Sequence, residues 1–280
     1  MDHGQIIRRK KYNLNQAGEC QFLTFPQLEK YTELKHLFTT RLGGVSEGCC
    51  SSWNFGAKSL DTEGNIIRNY EILGDVLGIS TDRMVTSAQT HTTNIRVVTA
   101  EDGGTGILPN LSFQDVDGLV TDERNLAIVT GHADCNPVYF YDPVKQVIGL
   151  AHSGWKGTLG GISEKMAALM GQRYGSRPRD ILAGIGPALC QDCFEVDRDV
   201  ADQFFGRNPA YRDFAYEKGI KIYIDLKRII RYDLQKAGLL DEHIFDMELC
   251  TKENMDLFFS HRGQQGKRGI MAAAMMLNLR

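Results

Sequence analysis

The sequence predicts an α/β domain of layered mixed β-sheets with flanking helices. Three observations predict it. Short β-rich apolar runs and amphipathic helical runs interleave along the chain. Several neighbouring strands are joined by turns too short for a crossover, so antiparallel pairs must occur. The 280 residues, 42% apolar and 24% charged, have ordinary globular composition and are enough to bury a large core.

Residues 1–20 read as a polar leader and 21–280 as one domain. "HLFTTRLGG" is a short strand running into a Gly43-Gly44 turn. Asp61-Thr62 caps a helix over Gly64–Leu77, with Ile66, Ile67, Tyr70, Leu73 and Leu77 on one face and Gly78 as its stop. "MVTSAQTHTTNIRVVTA" is strand with a polar interruption at Gln89 and His91. "VDGLVTD" and "LAIVTGH" are short β pieces. "SGWKGTLGG" reads as a turn leading into a helix over Ile162–Arg173. "ILAGIGPALC" is strand ended by Gly-Pro, and Asp225 caps "LKRIIRYDLQKAG", closed by Gly238. "DLFFSHRGQQGKRGIMAAAMML" reads as two strands around a polar loop.

The net charge of -3 and pI near 6.2 leave no nucleic-acid footprint and no polybasic membrane patch. The basic run in "MDHGQIIRRKKYNLN" has no apolar segment after it, and no apolar run reaches the ~20 residues of a membrane span. A cytoplasmic protein with no membrane partner and no evident obligate protein partner is expected. Seven cysteines read as reduced thiols or ligands, not a disulfide framework. "CQDC", Cys190 to Cys193, lacks the second cysteine pair of a common structural zinc site and reads as incidental.

The chemistry concentrates in "GHADCNPVYFYDPVKQVIGLAHSGWKG", Gly131 to Gly157. With "DPVK" as a four-residue turn, Tyr141 pairs with Gln146 and, counting outward, Cys135 with His152. Directly opposed residues have Cβ atoms about 4.5–5.5 Å apart, close enough to share a metal or for thiol to meet imidazole. Catalytic zinc usually takes three protein ligands, and His91 is the best remaining candidate for the third. His132 lies an odd number of residues from Cys135 and would face the other side of a regular strand. His36 and His261 flank strands, whereas His3 and His243 look like surface residues.

From Phe38 to the C-terminus the chain carries, in order, "TTRLGGVS", "WNFG", "QTH", "DGLVTD", "ADCNPV", "AHSGWKGT", "GIGPALCQDCFEV" and "FFSHR". In this the sequence resembles the YfiH/YlmD/FAMIN family, long described as laccase-domain or polyphenol oxidoreductase proteins. The resemblance implies a YfiH-like fold similar to the catalytic fold of the cytotoxic necrotizing factor toxins. It implies a zinc-dependent purine nucleoside phosphorylase with adenosine deaminase activity, acting on adenosine, inosine, guanosine or methylthioadenosine. Zinc, in preference to copper, and inorganic phosphate as co-substrate follow, with nucleoside and phosphate as the small-molecule partners. The implied metal ligands are His91, Cys135 and His152. The further candidates are Arg41, Lys156 and Arg262 for anions, Asn54 and Gln89 for ribose or base, and Asp134 for orienting a ligand histidine. The chain departs from the family pattern at Asn136, where Val or Leu is usual, and at Lys156, where Arg is usual and a bidentate fork is lost. The competing readings are a Cys135/His152 amidase editing cell-wall precursors, the older laccase assignment, and a non-catalytic zinc module. Multicopper chemistry needs many histidines, and seven scattered ones without a His-x-His pair fit it poorly.

Overall fold

In a computed structural model the chain is described over residues 11–56, 59–107 and 112–279. It begins with β1 (Asn13–Ala17), β2 (Cys20–Thr24), β3 (Leu34–Thr39) and α1 (Glu63–Leu77). Next come β4 (Met84–Val85), β5 (Ser87–Ala88), β6 (Ile95–Val97), β7 (Phe113–Gln114), β8 (Gly118–Thr121) and β9 (Ala127–His132). The central hairpin is β10 (Asn136–Asp142) and β11 (Val147–Ser153), followed by α2 (Trp155–Gly160) and α3 (Ile162–Tyr174). Then β12 (Leu182–Ile185), β13 (Glu195–Val196), α4 (Arg198–Arg207), β14 (Ala215–Lys218), β15 (Lys221–Ile224), α5 (Leu226–Lys236), β16 (Ile244–Asp246) and β17 (Met271–Leu277) complete it.

Two six-stranded sheets form the centre, in the orders β1-β2-β3-β17-β9-β4 and β16-β12-β10-β11-β8-β6. Most pairs are antiparallel, but β4 with β9, β12 with β16 and β6 with β8 are parallel, so both sheets are mixed. Strand alternation decides the layering. Tyr139, Tyr141, Ile148 and Leu150 meet Phe38, Ile128, Ala273 and Met275 of the first sheet in one core. The odd-even partners Val138, Phe140 and Val147 turn the other way, onto Met166 and Met170 of α3 and Ile230 and Leu234 of α5. The outer face of the first sheet packs Val129, Ala272 and Ala274 on Tyr70, Leu73 and Leu77 of α1. The order of layers is helix, sheet, sheet, helices. Two buried tyrosines tie the sheets together, Tyr139 donating to the Leu37 carbonyl at 2.8 Å and Tyr141 to Glu33 at 2.6 Å.

The helix signals hold. Thr62 caps α1 by accepting from the Asn65 amide, and Gly78 ends it at φ +74°. Asp225 caps α5 by accepting from the Arg228 amide. Four expectations change. Asn13–Ala17, placed in a polar leader, is the edge strand β1, while residues 1–10 lie outside the described ones. "WKGTLG", read as turn, is the helix α2. "DLFF", read as strand, is a chain of turns, leaving β17 as the one strand of that segment.

The fourth is the hairpin register. Asp142 pairs with Val147, and His152 faces Pro137. The turn starts one residue later than "DPVK" suggested because the Asp142 carboxylate accepts from the amides of Val144 and Lys145, and Gln146 closes it at φ +55°. The pairing moves by one residue on each strand. Cys135 therefore stands diagonal to His152, not opposite, but both keep the face turned toward the first sheet.

Candidate metal centre

Three segments converge at one end of the space between the sheets. The β9–β10 connection brings Cys135, the end of β11 brings His152, and the loop between β5 and β6 brings His91. Cys135 Sγ lies 3.7 Å from His91 Nε2, and the ligand atoms of His91, Cys135 and His152 all fall within 4.8 Å of one another. Tetrahedral zinc with ordinary Zn–S and Zn–N bonds puts its S and N ligands roughly 3.6 Å apart, so the donor set and its spacing fit zinc. Gly154 makes the approach possible. A Cβ there would stand 2.9 Å from Cys135 Sγ and 2.8 Å from His91 Cδ2.

Asp117 organises the group. Its Oδ1 lies 2.8 Å from His152 Nδ1 and accepts from the His91 amide at 3.0 Å. Its Oδ2 accepts from the Thr92 amide at 2.7 Å, the Thr92 hydroxyl at 2.8 Å and the Thr90 amide at 3.2 Å. One buried carboxylate thus aims Nε2 of His152 at Cys135 and pins the loop that carries His91, whose φ is +66°. Burial would raise this carboxyl, but bonds from His152 and Thr92 outweigh it and hold the pKa near 2. Burial would also raise the Cys135 thiol. The His152 charge and hydrogen bonds from His152 and His91 bring it down to about 6. For His152 burial acts downward, but Cys135 and Asp117 lift the imidazole to about 9.

His132 comes nearer than strand parity implied, its ring centroid 5.3 Å from that of His152. Asp134, at φ +86°, interrupts the extended chain, so counting alternate faces through it fails. Both His132 nitrogens are engaged, with Thr130 Oγ1 at 2.8 Å and the Cys135 carbonyl at 3.1 Å. Burial, reinforced by the His152 charge, lowers its pKa well below the usual range. His36 is buried away from the centre, accepting from the Phe25 amide.

The trio lies where two cavities meet. One, of about 250 Å³, is walled by Trp155, Leu189, Phe194, His261, Arg262 and Arg268. The other, of about 320 Å³, takes in Tyr70, Gln89, His152, Arg268 and Ile270. His91 and Cys135 line both. Arg262 is at the first cavity, ion-paired to Glu195 at 3.0 Å. Gln89 lines the second, with its amide bonded both ways to the Gly131 backbone.

The other expected residues do different work. Asp134 orients no histidine. It accepts from Thr251 Oγ1 and from the Arg262 amide, both at 2.7 Å. Asn54 is fully buried and bonds Gly56, Asp61 and the Ile270 amide. Arg41 donates to the carbonyls of Ser51 and Met255 and stacks on Phe259. Lys156 is exposed on α2, its Nζ 5.5 Å from the Trp155 ring, and lines neither cavity.

Two residues were missed. Asp117 stands inside "DGLVTD", where an acid between apolar neighbours was the available signal. Arg268 lies in a polar loop without periodicity. It lines both cavities, and its buried Nε has no hydrogen-bond partner.

Among known proteins, YlmD of Bacillus subtilis, named a purine nucleoside phosphorylase, is 37% identical over 237 residues, covering 84% of this chain and 85% of its own. The crystal structure of YfiH from Bacillus licheniformis superposes with a TM-score of 0.87 at 35% identity, covering 94% of this chain and 98% of that one. YlmD from Geobacillus stearothermophilus superposes with a TM-score of 0.88 at 32% identity, covering 96% and 100%. Residues 35–278 match the family described as multi-copper polyphenol oxidoreductase laccase, and the chain belongs to that family.

Proposed function

We propose that this chain is a zinc-dependent purine nucleoside phosphorylase with adenosine deaminase activity. The observation that carries the reading is the convergence of His91, Cys135 and His152 at the junction of two cavities, with no fourth His, Cys, Asp or Glu in that cluster among the described residues. Three protein ligands leave a position open for chemistry. Relatives named purine nucleoside phosphorylase support the reaction class. Adenosine, inosine, guanosine and methylthioadenosine are the substrates proposed.

Zinc held by the three ligands supplies Lewis acidity at the junction. Asp117 keeps His152 in the tautomer whose Nε2 faces Cys135, with the proton on Nδ1. Trp155 and Phe194 offer aromatic faces on which a purine stacks. Arg268 has an unpaired buried donor and sits between the cavities, which suits a phosphate anion approaching the sugar. Arg262 adds a second positive charge at the first cavity. In phosphorolysis a phosphate oxygen bonds to C1′ as the C1′–N9 bond breaks, and the purine leaves with a proton. In deamination water adds at C6 and ammonia departs. Incubating zinc-replete protein with adenosine or inosine, with and without phosphate, tests the reading. Phosphate-dependent release of free base and ribose 1-phosphate is expected, with inosine formed from adenosine. Absence of all these products sinks it.

One observation favours a second reading. A Cys135 thiol lowered to about 6 beside a raised His152 is also a nucleophile–base pair, as an amidase acting on cell-wall precursors needs. Amide hydrolysis that survives chelation and stops on alkylation of Cys135 would select it.

A further inference from the structure

Away from the trio a second group of donors comes together. Cys190 and Cys193 sit at the two ends of a short 3₁₀ turn, and Cys250 and Glu253 arrive from the segment after β16. Their four donor atoms all lie within 4.8 Å of one another. Glu253 Oε1 is 3.6 Å from Cys190 Sγ and 3.8 Å from Cys193 Sγ. In a tetrahedron with Zn–S near 2.3 Å and Zn–O near 2.0 Å the ligand–ligand edges are about 3.5–3.8 Å. The two Glu253 separations lie within about 0.3 Å of the sulfur–oxygen edge, and the remaining donors are within the 4.8 Å bound. All three sulfurs are free thiols, and no disulfide competes for them.

The backbone around the group is built to hold it. Ala188 and Cys250 form an isolated β-bridge that fixes the two segments side by side. The Cys190 amide donates to Cys250 Sγ at 3.4 Å, an N–H···S bond that a metal-bound thiolate accepts well. Cys193 and Cys250 are buried while Glu253 is exposed, which leaves an entry path on the carboxylate side. We propose that Cys190, Cys193, Cys250 and Glu253 form a second metal site, a closed four-ligand site for a borderline-soft divalent cation, with zinc as its ion.

The site is structural, because four protein ligands fill a tetrahedron and leave no position for substrate. What it secures is the wall of the first cavity. Leu189 and Phe194 flank the Cys-x-x-Cys turn and line that cavity. Thr251, next to Cys250, bonds Asp134, the neighbour of Cys135. Metal at the four donors would therefore lock the aromatic wall and the Cys135 loop to one another.

The inference stands apart from the proposed reaction. Protein purified under reducing conditions with zinc is counted for metal per chain as wild type, His152→Ala and Cys250→Ser. His152→Ala should retain one equivalent, and Cys250→Ser should lose one relative to wild type. Cobalt titrated into a Cys135→Ser, His152→Ala double variant, which keeps no thiol in the first cluster, should give sulfur-to-cobalt charge-transfer bands, and this decides the matter if Cys250→Ser does not fold. Zinc should also shield three cysteines of His152→Ala from a thiol reagent. A His152→Ala protein that binds no zinc or leaves these cysteines fully reactive, or a double variant that shows no thiolate–cobalt bands, overturns the second site. Inactive wild type with the metal counts as expected would instead refute the nucleoside chemistry alone.

Discussion

The two donor clusters among the described residues differ as an open site differs from a closed one. His91, Cys135 and His152 offer three atoms of mixed softness at the meeting of two cavities, and Asp117 sets the orientation of one ligand and the loop of another. Cys190, Cys193, Cys250 and Glu253 offer four atoms, three of them sulfur, behind a cavity wall. The lesson concerns how each is organised. The first depends on a buried carboxylate holding a strained loop, with His91 at φ +66°. The second depends on a tight turn and one β-bridge. An open site needs outside support for its geometry, and a closed one supplies its own.

The largest effect should follow from emptying the open site. His152→Ala should cut turnover by about 1,000-fold or more, since ligand loss removes the Lewis acid along with the oriented imidazole, and steady-state assays with metal counts check it.

Acid distinguishes the trio from the core histidines. His36 is buried, accepts from the Phe25 amide and is held at a pKa of about 4, chiefly by burial. The unfolded chain then binds a proton that the fold refuses. Stability from His36 is complete above about pH 6.5 and falls as pH drops toward 4, by about 3 kcal/mol in all. His132 acts in the same direction. Denaturant midpoints at pH 7.5 and 4.5 measure the loss, and His36→Gln should flatten the slope.

Asp117→Asn tests whether the open site leans on its carboxylate. It should weaken metal affinity or activity about 10–100-fold while leaving the folded far-UV spectrum in place. An effect within twofold would place the organisation elsewhere. Arg268→Met should raise the KM for phosphate about tenfold with metal content unchanged, as loss of a charge-assisted contact worth about 1.4 kcal/mol does. The smallest effect belongs to Lys156→Ala, expected within about twofold in every kinetic constant because the side chain lines neither cavity.

Much of the frame was legible because its signals are local. Thr62 with Gly78, and Asp225 with the apolar stripe of α5, mark helices through caps and periodicity. The three converging side chains were readable as an ordered set of motifs, and hairpin parity alone put Cys135 and His152 on one face. The register slipped because the Asp142 side chain and the left-handed Gln146 move the turn by one residue, which no residue pattern reveals. Asp117 holds His152 where Asp134 was expected to, for a similar reason. Which acid reaches His152 depends on β8 lying beside β11, a pairing set by the whole sheet. The second cluster was hidden most deeply. Its fourth ligand is a glutamate and its third cysteine lies far along the chain, so the search for a second Cys-x-x-Cys pair could not find it.

The proposed phosphorolysis is assigned to the site of His91, Cys135 and His152. Its most direct test is inosine with zinc-replete wild type and His152→Ala, with hypoxanthine and ribose 1-phosphate followed with and without phosphate. Wild type should release equal amounts of both products only when phosphate is present, and His152→Ala should release neither. Wild type that releases no hypoxanthine, or a His152→Ala protein that matches it, would contradict the account.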